Sequence, residues 1–430
     1  MMKERIAIID GLRTPVAKAG GNFKNIQAEK LGAHIVKELA LRVGIPFEDY
    51  DEVIIGNVSQ PGHAANVARV IALEAGFPDT TIAYTVHRNC ASGMESITSA
   101  ASKILSGEGE LFLCGGVESM SNIPLMYGEK MTELFGALFK AKSISERLYT
   151  LSHFRLKYLK PIVGLMQGLR DPVSGLMMGS TAEILAQDFG IGRQEQDEYA
   201  LDSHKKAEAA IKAGIFKEEI APVVYDLKAG KVMEDDDGVR FGQNMKALGK
   251  LRPFFDRKNG TVTAGNSSQI SDAAGAVVLM SESKAKKMGL EPMGYLSHYA
   301  YAGLEPKRMG MGPAYATAKL FSQTKLGMKD IDLIEMNEAF AVQAIANIKA
   351  FESKAYAKTH LNRSTALGGI DTTILNVNGG AVAIGHPVGM TGTRLVIHIL
   401  KELRRRGKNR GLATLCIGGG QGASLILEVE

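Results

Sequence analysis

The 430-residue chain contains three cysteines, and one of them occupies a position suited to covalent chemistry. Cys90 follows the strand-like run TIAYTV and directly precedes a helical stretch that begins near Gly93. Open α/β sheets bind ligands at the carboxyl ends of their strands, and the positive end of a helix favours a thiolate. The alternative is a core residue, because free cysteine is often buried. Cys90 is therefore a candidate nucleophile.

A second cysteine, Cys416, ends the strand-like run LATLCI and is followed by GGGQG at residues 418–422. A dinucleotide-binding fingerprint requires a helix after its glycines, whereas the following SLILEVE is typical of a strand. The glycines therefore predict a sharp turn whose backbone N–H groups can face an oxyanion. Cys114 has the matching place in the first half of the chain, but no histidine segment is near it. We expect Cys114 in the core.

Two further polar residues lie in segments suited to proton transfer. His386 lies in the glycine-dense stretch NVNGGAVAIGHPVGMTG, which is too rich in glycine to serve as packing filler. Imidazole is the usual proton carrier at neutral pH. Asn337 follows the apolar run IDLIEM and opens a helical stretch, so it is either a helix cap or a carboxamide that binds water or an oxyanion.

Strand-like runs alternate with helical patterns over most of the chain, which predicts a parallel sheet with helices on both faces. A weak internal repeat is also present. The segment from Ser92 to Gly116 and the segment from Gly392 to Gly419 both read helix, turn and strand, and the strands end in CGG and CIGG. Two similar α/β halves derived from one duplicated unit would explain this pattern.

A less regular region separates the two halves. The segment Ser143–Leu159 begins with a capping-box pattern and has apolar residues at helical spacing, with basic residues on either side. It predicts an amphipathic helix that either covers the active-site side of its domain or contacts a membrane or partner. The acidic run Glu234–Gly238 predicts a solvated loop.

Composition limits the class of protein. A net charge of +5 and the absence of Trp argue against a nucleic-acid-binding surface, although a mildly basic chain suits a small anionic ligand. The stretch Met1–Asp10 lacks a signal-peptide core, no apolar run is long enough to span a membrane, and three cysteines cannot all pair. We expect a soluble cytoplasmic protein with free thiols and no metal site.

Several segments together resemble the thiolase family, in the family's order and over essentially the whole chain. They are NCASGMES, GGVESMSNIP, MMGSTAE, LRPFFDRKNGTVTAGNSS, MNEAFA, NVNGGAVAIGHPVGMTG and LCIGGGQGAS. The resemblance implies an α/β thiolase fold of two similar βαβαβ-type halves with an inserted loop domain. The N-terminal half would comprise residues 1–122 and 248–284. The loop domain over the CoA site would comprise residues 123–247, and the C-terminal half residues 285–430.

The resemblance also implies an acyl-CoA C-acyltransferase that works through an S-acyl-Cys90 intermediate. His386 would deprotonate Cys90, and Cys416 would exchange the proton of the acetyl-CoA carbanion. One oxyanion site would use His386 with a water held by Asn337, and the other the backbone N–H groups of Cys90 and Gly418.

Three further positions match family contacts to the substrate. Ser268 would contact the pantetheine of CoA, and Met178 and Phe340 would line the acyl pocket. Coenzyme A would be a substrate, with no tightly bound cofactor. The family forms homo-dimers or tetramers, and the long stretch from Ser143 resembles the β-subunit of fatty-acid oxidation complexes. Such subunits carry His at the position of Asn337. The long stretch and Asn337 therefore indicate different subclasses of thiolase.

The long stretch favours a 3-ketoacyl-CoA thiolase over an acetoacetyl-CoA thiolase, which is the second choice. Where the family has small residues, this chain has Met390-Thr391, which would narrow the edge of the site. A β-ketoacyl synthase is disfavoured by Cys416, and an NAD-dependent oxidoreductase by the strand after the glycines. A non-catalytic CoA- or lipid-binding relative would be expected to lack one of the three reactive side chains, and all three are present.

Overall fold

The structure is a computed structural model that describes residues 4–430. The chain divides into two compact units, one formed by residues 4–122 and 171–430 and the other by Ile123–Arg170. The second unit begins where the sequence places the start of a loop domain, while residues from Asp171 onward group with the larger unit. The predicted domain boundaries at residues 247 and 284 remain a prediction.

The strands, numbered along the chain, are β1 Ile6–Arg13, β2 Ala17–Lys18, β3 Glu52–Gly56, β4 Ile82–Val86, β5 Leu111–Ser119, β6 Leu125–Met126, β7 Ile162–Val163, β8 Val223–Asp226, β9 Lys231–Met233, β10 Ser271–Ser281, β11 Gly294–Gly303, β12 Leu333–Met336, β13 Arg410–Ile417 and β14 Gln421–Glu428.

The α-helices are α1 Ala28–Val43, α2 Val67–Ala75, α3 Ser92–Ser106, α4 Glu129–Lys140, α5 Ile144–Ser152, α6 Gly164–Gly168, α7 Met178–Phe189, α8 Arg193–Lys212, α9 Met245–Gly249, α10 Glu282–Met288, α11 Gly312–Gln323, α12 Ala341–Glu352, α13 Lys354–His360, α14 Ala381–Ile384 and α15 Thr391–Arg406.

A mixed sheet forms the centre of the larger unit, with the strand order β12-β13-β14-β11-β1-β10-β5-β3-β4 and β2 added beside β10. The expected parallel pairing is found only at the two ends of this order, in β12·β13 and in β5·β3·β4. All other pairs are antiparallel. The prediction of a parallel sheet was wrong for these pairs. The glycine turn explains β13·β14, since a short connection can join only antiparallel neighbours, and the other antiparallel pairs join strands that are distant in the chain.

The predicted internal repeat corresponds to matching halves of this sheet. The orders β3-β5-β10-β1 and β12-β13-β14-β11 have the same sequence of parallel and antiparallel pairs, and they meet where β1 pairs with β11. In one half β4 lies parallel to β3, and in the other Leu375 makes a parallel bridge to Ile334 of β12. The segment that leads to Cys90 starts from β4, and the segment that leads to His386 starts from the bridge at Leu375. These two strand positions are equivalent in the two halves of the sheet.

A buried ionic network joins the first strand to distant parts of the larger unit. The Arg13 guanidinium donates to both carboxylate oxygens of Asp236, at 2.7 and 2.9 Å, and to Glu219 at 2.8 Å. Glu219 also bonds to Nδ1 of His398 at 2.8 Å. The predicted solvated loop at Glu234–Gly238 was therefore wrong at its centre. Asp236 is only 4% exposed, because it neutralises an arginine that is 0% exposed.

The smaller unit, Ile123–Arg170, is rich in exposed apolar side chains. Its elements are α4, α5, α6 and the β6·β7 pair, and Met131 and Leu134 of α4 are its buried residues. The predicted helix over Ser143–Leu159 is two pieces, α5 and a 3₁₀ turn at Leu156–Leu159. The expected cap is present, since Ser143 Oγ accepts from the Glu146 N–H at 3.2 Å.

The break between these two pieces has a local cause. The imidazole of His153 bonds to the Tyr149 carbonyl at 2.9 Å, and the Arg155 guanidinium donates to the carbonyls of Ser152 and Phe154. These side chains occupy carbonyls at the end of α5 that a further helical turn would use.

We predict that Asp236→Asn destabilises the protein. The change leaves the buried Arg13 charge partly uncompensated, which typically costs about 3–5 kcal/mol. Thermal and urea unfolding followed by circular dichroism would measure the loss. Asp235→Asn, a change of the exposed neighbour, is the matched control and should alter stability by less than about 0.5 kcal/mol. Equal stability of the two variants would contradict the assigned importance of the network.

Candidate active site

A tight turn places Cys90 at the N-terminus of a helix. Strand β4 ends at Val86 and α3 begins at Ser92. Between them Asn89 has a φ of 44°, a left-handed conformation that asparagine tolerates better than most residues. Ser92 Oγ accepts from the Arg88 N–H at 2.9 Å and donates to the Asn89 carbonyl at 2.7 Å. This sharp strand-to-helix turn presents the thiol at the helix end, as the sequence predicts.

The groups around the Cys90 sulfur shift the pKa of its thiol in opposite directions. Burial raises the pKa of the Cys90 thiol, while the backbone N–H groups of Gly418 and of Cys90 itself lower it. The charge of Glu118 raises it further. The resting group is therefore a thiol that needs a base. The two N–H groups beside the sulfur are those that the sequence assigns to an oxyanion site.

Cys416 lies at the end of β13, next to the predicted glycine turn. Gly419 and Gly420 have φ of 88° and 81°, values that side chains other than glycine rarely adopt. The Asn89 amide donates to the Gly418 carbonyl at 2.7 Å and so ties this turn to the Cys90 turn. Burial raises the pKa of the Cys416 thiol, and the charge of Cys90 adds to the effect. The two sulfurs therefore share one site.

Both ring nitrogens of His386 face polar side chains. It is 7% exposed, its Nδ1 lies 2.6 Å from Thr391 Oγ1, and its Nε2 lies 3.5 Å from the Asn337 amide nitrogen. Burial, together with the positive charge of Arg394, lowers the pKa of His386 to about 3. The imidazole is therefore neutral at physiological pH, and one of its two ring nitrogens is unprotonated.

Asn337 is not a helix cap, because the following helix α12 begins only at Ala341. Its backbone N–H donates to the Thr414 carbonyl of β13 at 2.9 Å, two residues before Cys416. The Asn337 side chain is fully buried, and its Oδ1 has no hydrogen-bond partner in the described part of the chain. An unpaired buried oxygen beside a histidine is suited to holding a water molecule.

The turn that carries His386 packs directly against the helix that follows Cys90. A Cβ at Gly93 would lie 3.1 Å from the Gly389 carbonyl oxygen and 2.7 Å from the Thr393 backbone nitrogen. Gly93 and Gly389 are each three residues beyond the candidate catalytic side chain. The structure thus brings together the segments of Cys90, Cys416, His386 and Asn337. Cys114 is separate from them, with 0% exposure in the core between the sheet and α3, as expected.

The candidate substrate residues border the same segments. The Ser268 N–H donates to the Ala339 carbonyl at 3.0 Å, and the neighbouring Gln269 carbonyl accepts from the His386 N–H at 3.0 Å. The Met178 sulfur lies 3.3 Å from the position that a Cβ would take on Gly418. Phe340, 8% exposed, packs edge-on against Phe255.

Glu118 is a buried carboxylate that the sequence analysis did not single out. It accepts from the N–H groups of Val58, Ser59 and Gly389 at 3.2, 2.9 and 2.9 Å, and from the Asn57 amide at 3.3 Å. Burial raises the pKa of Glu118 to about 7, and the three N–H groups oppose this. The GGVES motif was a signal for it, because an acidic residue within a buried strand needs partners.

Met390 and Thr391 have different surroundings from those expected at the site's edge. The Met390 side chain is 0% exposed and packs in a core cluster with Val16 and Ala273. Thr391 instead faces the imidazole of His386. Met390 therefore does not form an exposed rim. It fills space beside Gly275, where a Cβ would lie 3.3 Å from its methyl group.

No group of three or more His, Cys, Asp and Glu side chains within residues 4–430 is arranged to bind a metal ion. None of the helices in that range combines the length and the apolar character needed to cross a membrane.

Comparisons with known proteins agree with this arrangement. The thiolase N-terminal domain family matches residues 6–283 and the thiolase C-terminal domain family matches residues 290–429. The chain is 40% identical to proteins named 3-ketoacyl-CoA thiolase from Yersinia enterocolitica and Pectobacterium atrosepticum. Each of these alignments covers 99% of this chain and 97% of the relative.

Solved structures of related enzymes are similar to this chain over almost its whole length. The Bacillus anthracis acetyl-CoA acetyltransferase is similar with a TM-score of 0.87 and 37% identity, over 99% of each chain. Human mitochondrial 3-ketoacyl-CoA thiolase in complex with CoA is similar with a TM-score of 0.85 and 34% identity, over 100% of this chain and 99% of that one. With both family domains matched along nearly its whole length, the chain belongs to the thiolase family.

Proposed function

We propose that this protein is a 3-ketoacyl-CoA thiolase that cleaves its substrate into acetyl-CoA and a shortened acyl-CoA. The main support is the surroundings of Cys90, which lies at a helix N-terminus and accepts a hydrogen bond from the Gly418 N–H. The Cys416 thiol and the neutral imidazole of His386 belong to the same site. The match to relatives named 3-ketoacyl-CoA thiolase agrees with this activity.

In the first half-reaction His386 Nε2 takes the proton of Cys90, whose sulfur attacks the 3-keto carbon. The N–H groups of Cys90 and Gly418 are placed to stabilise the developing oxyanion. The C2–C3 bond then breaks. The electron pair forms the enolate of acetyl-CoA, and the shortened acyl group stays on Cys90. His386 and a water held by Asn337 are suited to stabilise the enolate oxygen.

Cys416 protonates this carbanion at C2, which releases acetyl-CoA. A raised pKa suits this role, because the Cys416 thiol stays protonated until a strong base forms beside it. In the second half-reaction CoA enters, gives its thiol proton to the Cys416 thiolate and attacks the acyl-Cys90 carbonyl. Cys90 leaves as a thiolate and regains its proton from His386, and the shortened acyl-CoA is formed. The reverse sequence is a Claisen condensation.

Coenzyme A is proposed as a substrate, with no tightly bound cofactor. Ser268 is positioned next to Gln269, which bonds the His386 backbone, so a contact from Ser268 to pantetheine would lie close to the reacting thioester. Met178 and Phe340 are the proposed walls of the acyl pocket. An acetoacetyl-CoA thiolase is the second candidate, favoured by the similarity to the Bacillus anthracis acetyl-CoA acetyltransferase.

The remaining assignments concern assembly and compartment. We propose a homo-dimer or tetramer in a reducing compartment such as the cytoplasm, which suits three unpaired cysteines. The segment Ser143–Leu159 is proposed to contact a membrane or a fatty-acid-oxidation partner subunit. Its large apolar side chains are exposed, and basic residues flank them; the apolar set is Ile144, Leu148, Tyr149, Leu151, Leu156 and Leu159.

We predict that Cys90→Ala abolishes thiolysis and that Cys416→Ala lowers its rate by about 10³-fold, the range for loss of a positioned acid or base. Iodoacetamide should label Cys90, and acetyl-CoA should block the labelling. Cys114→Ala is the matched control, since this thiol is buried away from the site, and it should retain activity. Near-equal activity of Cys416→Ala and the parent enzyme would refute the role of Cys416.

We predict that 3-ketoacyl-CoA substrates longer than acetoacetyl-CoA are cleaved with higher kcat/KM than acetoacetyl-CoA itself. The physical reason is the additional apolar surface that a longer chain buries, about 0.8 kcal/mol per methylene. A spectrophotometric assay over a series of chain lengths measures this. Activity confined to acetoacetyl-CoA would replace the first proposal with the second. No activity on any substrate, with CoA still bound, would indicate a non-catalytic binder.

We predict that vesicles containing phosphatidylserine sediment with the protein and that neutral vesicles do not. Each basic residue near an anionic surface contributes about 1 kcal/mol. The double change Arg147→Glu and Lys157→Glu should release the protein. Lys358→Glu with Lys408→Glu, two exposed lysines of the larger unit, should not. Equal vesicle binding by the two double variants, or equal binding of the parent protein to neutral vesicles, would contradict a membrane role for Ser143–Leu159. The partner subunit would then be the remaining proposal for this segment.

A further inference from the structure

The hydroxyl of Thr391 lies between a ring nitrogen and a backbone carbonyl. Its Oγ1 is 2.6 Å from His386 Nδ1 and 3.0 Å from the Pro387 carbonyl oxygen, and the residue is fully buried. A carbonyl can only accept a hydrogen bond, so in its bond to Pro387 the Thr391 hydroxyl is the donor and uses its single proton there. The oxygen of Thr391 then offers only lone pairs to the imidazole. A simultaneous hydrogen bond between that oxygen and Nδ1 of His386 requires the ring proton to be on Nδ1.

This hydrogen bonding determines which nitrogen of His386 is available for catalysis. With the proton on Nδ1, the lone pair of the neutral ring is on Nε2, which faces the Asn337 amide group at 3.5 Å. That distance is too long for a strong hydrogen bond, so the lone pair stays free to accept a proton. The low pKa of His386 keeps the ring in this neutral form at physiological pH.

The turn around Thr391 is rigid enough to hold this geometry. The Pro387 carbonyl also accepts from the backbone N–H groups of Met390 and Thr391, at 2.9 and 3.0 Å. The Gly389 N–H is held by Glu118, and the His386 N–H by the Gln269 carbonyl.

We propose that Thr391 is a positioning residue for the acyl transfer: it fixes the Nδ1–H tautomer of His386 so that Nε2 receives the proton of Cys90. The inference rests on the proposed role of His386 as the base for Cys90. When the proton moves from Cys90 Sγ to Nε2, the ring becomes an imidazolium whose Nδ1–H remains on Thr391. The same contact therefore orients the ring before and after proton transfer.

The test compares two threonines in the first turn of α15. Thr391→Val removes the hydroxyl but keeps the shape of the side chain. Thr393→Val is the matched control, because Thr393 is equally buried and its Oγ1 has no hydrogen-bond partner in residues 4–430. Thr391→Ser retains the hydroxyl and tests for rescue.

We expect Thr391→Val to lower kcat by about 10²-fold, within the range for a mispositioned base, with little change in KM for CoA. The rate of Cys90 alkylation by iodoacetamide should fall in parallel. Thr391→Ser and Thr393→Val should both retain kcat within about threefold of the parent. The proposal is wrong if Thr391→Val keeps the parent kcat and alkylation rate, if Thr393→Val loses as much, or if the loss is in KM alone.

A measurement on the parent enzyme covers the case in which Thr391→Val does not fold. In protein with ¹⁵N-labelled histidine, the His386 signals, assigned by comparison with His386→Asn, distinguish a protonated ring nitrogen from an unprotonated one. We expect Nδ1 to be protonated, and a proton on Nε2 would overturn the proposal. If instead His386→Ala is as active as the parent, the proposed function of His386 fails rather than the role of Thr391.

Discussion

The close approach of two helix N-termini is the constraint on which the rest of the site depends. Helices α3 and α15 come from opposite ends of the chain, and their first turns touch through backbone atoms. A Cβ at Gly93 would lie 2.7 Å from the Thr393 nitrogen, and one at Gly392 would lie 2.6 Å from the Met94 nitrogen. Only glycine permits this contact, which places the turn of Cys90 against the turn of His386.

Burial then gives the reactive groups their chemical character. Cys416 and His386 are buried and Cys90 is partly buried, and the two thiols and the imidazole are all neutral at rest. Charges therefore appear only as the reaction proceeds, next to donors such as the Gly418 N–H that are already in place. Glu118 is a further buried carboxyl group, with its pKa raised to about 7, and it accepts from the Gly389 N–H and so holds that turn. When ionised it disfavours a resting thiolate at Cys90 and so strengthens the need for a base.

The candidate site residues and the two similar halves could be predicted from the sequence, because the local patterns around these residues agree with the fold. A cysteine between a strand and a helix, a second beside a glycine turn, and a histidine in a glycine-dense loop gave the candidate residues. The repeat of helix, turn and strand indicated two similar halves. Prediction was wrong where distant partners decide the outcome. Asp236 belongs to an acidic run that reads as solvated, yet Arg13, more than two hundred residues away, buries it.

The order of amino acids specifies which residue types are available and which backbone elements carry them, since strand ends, helix starts and glycine turns are local properties. Which of these side chains share one site, and how each is protonated, depends on the packed fold. The ring of His386 bonds to Thr391, and Asn337 lies beside Thr414 and close to Cys416 because β12 pairs with β13. Such relations depend on distance and burial, which chain order does not specify.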